Sequence, residues 1–292
     1  MNARQSSEAS HFLLALARRN AQIYATHPST RAILVTGSVA EGVSDFYSDI
    51  DMILYYEKLP TAEELSVASQ QNQGERRKIL ASGEEELLES YQVQGVECQF
   101  AHATIATWER DIATVLEELD VTTPLQKALS GTLVAVPLYG EPLIRGWQTR
   151  IATYPEALAQ AMVSHYLNFF PVWGIQKRMV TRDATIWLHQ LLVETAYNLL
   201  GVLAGLNRCY YSSFQFKRMR HFIAHLALTP INFADRLEAV FYIDIASAIT
   251  QIESLVRETV TMVEQHMPQI DTTSVHQRLE QRQVAWRLLP ER

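Results

Sequence analysis

A chain of 292 residues is long for one ordinary core and comfortable for two. Its 48% hydrophobic and 20% charged residues fit a globular chain and exclude disorder, collagen and a simple coiled coil. The net charge of -7 argues against a generally basic nucleic-acid-coating protein, though not against a local basic cleft, and the two cysteines, Cys98 and Cys209, cannot build a disulfide scaffold or a four-cysteine zinc site, so a reducing cytoplasm is the plain reading.

From the N-terminus, residues 5–26 predict an amphipathic helix with Phe12, Leu13, Leu16 and Ile23 on one face. Glu8 before its apolar patch and Arg18-Arg19 after it argue against a signal peptide. Ala32–Thr36 is a short apolar run ending at Gly37, the pattern of a buried strand. Asp51–Tyr56 predicts a second strand, stopped by Pro60, and Thr61-Ala62-Glu63-Glu64 opens a helix with acids in its first turn. Tyr91–Val93 and Val96–Phe100 flank Gln94-Gly95, a tight hairpin signal. Thr132–Leu138 predicts another extended segment, ended by Tyr139-Gly140.

The second half carries almost no strand signal. Ala157–Gln176 is the longest uncharged run, but its Gln160, Ser164, His165, Asn168 and Gly174 make it a buried helix ending near Pro171 rather than a membrane span. Pro155 suits a first helical position. Asp183 predicts an N-cap, followed by Leu188, Leu192, Ala196, Leu199, Leu203 and Leu206 on one helical stripe. Further helices are expected over 156–169, 216–227, 233–241 and 244–266. The chain is therefore α+β, with a small mixed sheet flanked by helices over 1–148 and an all-α helical bundle over 149–292.

One segment carries chemistry. A strand runs into Gly37-Ser38, and after ten intervening residues comes Asp49-x-Asp51 at the start of the next strand. Alternate strand residues share a face, so Asp49 and Asp51 point together while Ile50 and Met52 point into the core. Two adjacent carboxylates repel unless a cation sits between them, and hard oxygens on one face suit Mg²⁺ completed by phosphate oxygens. Gly37 lets the backbone approach a phosphate closely, and the Ser38 hydroxyl adds a donor. Glu97, on the polar face of the Val96–Phe100 strand, is a candidate third metal ligand or general base. Glu41, Asp45 and Ser48 read as loop and capping residues, Ser48 placed to orient Asp49.

Gly37-Ser38, the Asp49-x-Asp51 pair and Val96-Glu97-Cys98 together resemble the polymerase-beta-type nucleotidyltransferase superfamily. Within it they look most like the two-domain antibiotic nucleotidyltransferases. The resemblance implies an N-terminal nucleotidyltransferase domain, two Mg²⁺ ions on Asp49 and Asp51 with Glu97 as base or third ligand, and ATP or another nucleoside triphosphate as donor. The acceptor it implies is a small hydroxylated molecule such as an aminoglycoside or lincosamide. An Asn207–Tyr211 stretch followed by Lys217-Arg218 is similar to a basic segment of such enzymes, and Lys217 and Arg218 are candidates to neutralise the leaving pyrophosphate. Lys177-Arg178 with Arg182-Asp183 reads as a solvated basic face. The aromatic concentration of Tyr166, Phe169, Phe170, Trp173 and Trp187 reads mainly as core. Three other readings stay open: transfer to a protein or a tRNA, a non-catalytic module that senses nucleotide, and a helical interaction protein whose N-terminal half is a scaffold. His221 and His225 have helical zinc spacing but no evident third ligand.

Overall fold

The computed structural model describes residues 8–286. Contacts divide the chain into two compact units, one running to Glu118 together with Lys127–Thr153, the other made of Leu119–Gln126 and the chain from Tyr154 onward.

The first unit is built on a six-stranded sheet in the order β3-β4-β5-β2-β1-β6, in which only β2 and β5 run parallel. Its elements are α1 (Glu8–Ala25), β1 (Thr30–Thr36), α2 (Gly37–Glu41), β2 (Ile50–Tyr56), α3 (Ala62–Gln71), β3 (Glu75–Ser82), β4 (Glu86–Val93), β5 (Val96–Thr104), α4 (Ile105–Leu116), α5 (Leu125–Val134), β6 (Val136–Tyr139) and α6 (Glu141–Ala152), the first residues of α5 belonging to the second unit. The continuous run Ala32–Val35 is fully buried, as an interior strand covered on both faces requires. Helix α1 packs Leu13, Leu16, Ala17 and Tyr24 on one sheet face, against Ile50, Met52, Cys98 and Phe100. On the other face Tyr55 meets Trp108 of α4 and Trp147 of α6, with ring centroids 5.7 and 4.6 Å away. Thr61 and Glu64 close a reciprocal capping box at the start of α3. The β4–β5 hairpin turns through Gln94 and Gly95, both left-handed, as the tight turn demands.

Several elements differ from the sequence expectation. Thr132–Val134 is helical, because Leu129 and Thr132 are fully buried on one face of α5; only Val136–Tyr139 is extended. Gln148 donates to the carbonyls of Thr132 and Ala135 at 3.0 Å each, satisfying the end of that helix.

In the second unit α7 (Glu156–Tyr166) stops five residues short of Pro171, and a separate α8 (Val172–Val180) follows. Proline disfavours helix at the residue before it. The carbonyl of Asn168 in the break is taken by the Asn198 side chain at 2.7 Å. Helix α9 (Thr185–Leu206) starts without the Asp183 cap: Asp183 sits at φ +50 and Ala184 holds the cap position with no side-chain bond. The expected α9 stripe is buried throughout: Leu188, Leu192, Ala196, Leu199, Leu203 and Leu206 all lie in the core. Then come α10 (Met219–Ile223), shorter than expected and ending before His225, α11 (Phe233–Ala239), α12 (Ile245–His266) and α13 (Thr273–Leu279). Among the described residues no helix is long and apolar enough to cross a membrane. Trp173 and Phe169 are buried, whereas Phe170 and Trp187 stay 42% and 37% exposed, edge to face at 5.8 Å.

Helices α7 and α9 approach closely because α9 presents glycine. A Cβ at Gly201 would lie 2.2 Å from the Tyr166 ring. Gly201→Ala is therefore expected to destabilise the protein by about 1–3 kcal/mol through overpacking. Gly146→Ala in α6 meets nothing within 4 Å, so it should raise stability by up to about 1 kcal/mol through helix propensity. Thermal and urea unfolding of the two variants side by side checks both signs.

Candidate active site

The site begins where β1 ends. Gly37 follows Thr36 at φ +63, a left-handed conformation that glycine adopts without cost. Thr36 pairs across the sheet with Asp51. A Cβ on Gly37 would lie 2.8 Å from the Asp51 Oδ2, so the Asp51 carboxylate rests directly over this glycine. Backbone angle and space both call for glycine here.

The chain after Gly37 is held by short contacts. The Val43 amide donates to the Ser38 carbonyl at 3.0 Å, and the Ser44 hydroxyl donates to the Ser38 hydroxyl at 3.1 Å. Ser10 of α1 accepts from the Ser44 amide at 3.0 Å. An Asp45 turn then carries the chain to Asp49: the Tyr47 amide donates to Asp45 Oδ1 at 2.9 Å, and the Asp45 amide to Ser48 Oγ at 3.0 Å. Ser48 thus serves this turn, its hydroxyl donating to Asp45 and not to Asp49 as expected from sequence. The turn presents Phe46 and Tyr47 to solvent at 90% and 100% exposure, two residues the sequence did not single out.

Alternation fixes the faces of the two parallel strands. Ile50 and Met52 of β2 and Cys98 and Phe100 of β5 are buried, while Asp49, Asp51, Glu97 and Gln99 are half-buried on the opposite face. Ile50 pairs with Cys98 and Asp51 with Gln99. The Gln99 amide donates from Nε2 to Asp49 Oδ2 at 3.0 Å. Glu97 stands two residues before Gln99 on the same face and pairs with Gln92 of β4. Among the described residues no group of three or more His, Cys, Asp or Glu side chains is gathered closely enough to hold a metal ion, while the parallel register, carried one step back from Ile50 and Cys98, sets Glu97 level with Asp49 on the same face. Gln99, which the sequence reading passed over, has a legible signal: the period-two pattern of β5 puts it on the face of Glu97, but an amide draws less notice than an acid. Beneath the site, burial pushes the Cys98 thiol up to about 12, helped by the Glu97 carboxylate, which leaves it an unreactive thiol.

The acid pair fits a divalent cation. Two hard oxygen ligands on one face match what Mg²⁺ takes from protein when phosphate oxygens fill the rest of its shell. Lys217 and Arg218 lie in the second unit, exposed in the segment that enters α10, with Arg218 at φ +59. Their neighbour Arg220 is committed to α11, pairing with Asp235 at 2.6 Å and with Glu238. Asn207 is structural: its amide donates to the carbonyls of Leu203 and Leu228 at 2.7 and 2.8 Å and accepts from the Leu228 amide.

The fold is α+β, a mixed sheet flanked by helices with a helical second unit. No family model matches the sequence, and no curated protein is significantly similar to it. Among solved structures the chain is similar to a nucleotidyltransferase-like protein from Exiguobacterium sibiricum, with a TM-score of 0.40 and 11% identity over 88% of this chain and 80% of that one. It is also similar to the Thermotoga maritima CCA-adding enzyme complexed with tRNA, with a TM-score of 0.31 and 13% identity over 94% of this chain and 79% of that one. A CCA-adding enzyme in complex with CTP gives a TM-score of 0.29 and 13% identity, over 95% and 79%. All are distant likenesses.

Proposed function

We propose that this chain is a Mg²⁺-dependent nucleotidyltransferase that moves AMP from ATP onto a hydroxyl of a small acceptor, an aminoglycoside or a lincosamide. The observation that supports it is the stacking of the Asp51 carboxylate on Gly37, with Asp49 on the same face. An acid pair beside a glycine turn is what a triphosphate with its cation would require. Asp49 and Asp51 would hold Mg²⁺, which when bound neutralises charge on the triphosphate. The Ser38 hydroxyl and the Gly37 backbone orient the phosphates. The acceptor oxygen attacks the α-phosphorus; that P–O bond forms as the bond to the bridging oxygen of pyrophosphate breaks. The leaving pyrophosphate keeps the electron pair, and the acceptor proton passes to the Glu97 carboxylate. The net charge of -7 favours a cationic acceptor over an anionic one.

The test is pyrophosphate release with ATP, GTP, CTP and UTP plus Mg²⁺ against a panel of aminoglycosides and lincosamides. Release with ATP and one antibiotic class is the expected result. Label appearing instead on tRNA or on protein would move the acceptor to a macromolecule. Nucleotide binding without any turnover would make the chain a sensor, and no Mg²⁺-dependent nucleotide binding would overturn the reading altogether.

A further inference from the structure

We infer that the helical unit carries a binding site of its own for a neutral saccharide, in the cavity where the chain breaks between α7 and α8. The cavity holds about 570 Å³, within the roughly 300–1,000 Å³ span of small-molecule sites. Asn168 and Phe170 of the break form one wall, Glu194 and Asn198 of α9 another, and Arg278 of α13 with Gln281 beyond it a third. These walls are fixed from outside the cavity. The Trp173 indole donates to the Arg278 carbonyl at 3.0 Å, and the Asn198 amide to the Asn168 carbonyl at 2.7 Å. The chain after α13 lies against α8: a Cβ at Gly174 would come within 2.7 Å of the Gln281 carbonyl, and the Gln283 amide donates to the Gly174 carbonyl at 2.8 Å.

The groups these walls leave unspent define the ligand. Arg278 uses Nη1 alone, on Asn168 Oδ1 and the Phe169 carbonyl, and keeps Nε and Nη2. Glu194 accepts from Gln190 on Oε1 at 2.8 Å and keeps Oε2, and Asn198 keeps Oδ1. Among the described residues neither Arg278 nor Glu194 has an ion-pair partner. A simple anion would face Glu194 and a simple cation would face Arg278, so each meets a like charge. A sugar hydroxyl both donates and accepts. Adjacent hydroxyls can receive from the guanidinium and give to the carboxylate with no net charge. The half-exposed Phe170 ring, steadied edge to face by Trp187, offers an apolar platform for the C–H face of a sugar ring. The site draws on the helical unit alone and does not depend on nucleotidyl transfer.

Saturation-transfer NMR and calorimetry on the full chain, with glucose, galactose, mannose, maltose, sucrose and trehalose as probes, test this. Binding of at least one of them is expected. Phe170→Ala and Glu194→Gln, both at exposed positions, should keep the wild-type melting temperature and weaken that binding roughly tenfold each, through the lost ring contact and the lost charged acceptor. No binding by any of the six sugars, or binding that both variants leave unchanged, would overturn the inference. Kanamycin bound more tightly than the neutral sugars, with the same loss in both variants, would make the ligand cationic and overturn it. Adenosine bound more tightly than any sugar would turn the cavity into a nucleoside site and overturn it likewise.

Discussion

Asp51→Asn is expected to lower nucleotidyl transfer by about three orders of magnitude or more while leaving the fold intact. Asn matches Asp in shape, and residue 51 is half-buried near the start of β2, so neither packing nor the pairing with Thr36 changes. What goes is the negative charge lying over Gly37. Losing a single preorganised electrostatic group costs about 10²–10³ in turnover, and loss of a metal ligand adds to that. Single-turnover pyrophosphate release measures the effect, with the melting temperature as control. Asp49→Asn should behave alike, since Gln99 can still donate to the remaining amide oxygen. Glu97→Gln should cost about 10²–10⁴ if the proton passes to that carboxylate. Turnover within tenfold of wild type in Asp51→Asn would remove the acid pair from the chemistry.

The site was legible in the sequence where short-range rules act alone. A continuous apolar run ending in Gly37 can only be an interior strand meeting a turn, and alternation alone places Asp51 opposite Met52 in facing. The hairpin at Gln94-Gly95 and the stripe of α9 follow from turn chemistry and helical period in the same way. What failed needed partners far away in the chain. Strand β3 is exposed along nearly its whole length and shows no alternation; it exists because β4 offers it a hydrogen-bonding edge. Thr132–Val134 looks extended by β-branching, yet burial of Leu129 and Thr132 three residues apart commits it to helix. Asp183 is a sound cap residue in isolation, but the backbone turns left-handed there and carries it off the helix end. Likewise alternation puts Glu97 on the correct face and says nothing of which row it occupies. That depends on the β2–β5 register, which sets Gln99 beside Asp51 and Glu97 level with Asp49.

Arg77→Ala is expected to destabilise the first unit by about 3–5 kcal/mol, the cost of stranding a buried charge. Glu89 of β4 is wholly buried; Arg77 of β3 reaches its Oε2 from Nε at 2.7 Å and from Nη2 at 2.6 Å. On its other oxygen Glu89 accepts from His102 Nε2 and from the Tyr24 hydroxyl, both at 3.2 Å, and the Tyr56 hydroxyl donates to His102 Nδ1 at 3.0 Å. Burial alone would raise the Glu89 pKa, but the His102 hydrogen bond and the Arg77 charge outweigh it and hold the carboxyl below its usual range. Burial keeps His102 neutral by lowering its pKa. Both shifts make acid destabilising. The unfolded chain takes up the histidine proton below about pH 6.5, before the folded protein can, so stability falls from there downward. The carboxylate contribution, full above about pH 4.3, is lost as pH drops through the depressed Glu89 value. In Arg77→Ala the strongest countercharge is gone, burial dominates and the Glu89 pKa moves up, so protonation relieves the stranded charge. Urea unfolding from pH 8 to pH 4 should therefore show the deficit of Arg77→Ala shrinking as the solution is acidified. In the same titration His102→Gln should lose the decline that begins near pH 6.5. A deficit that stays constant across that range would mean that Glu89 finds water or another cation once Arg77 is removed.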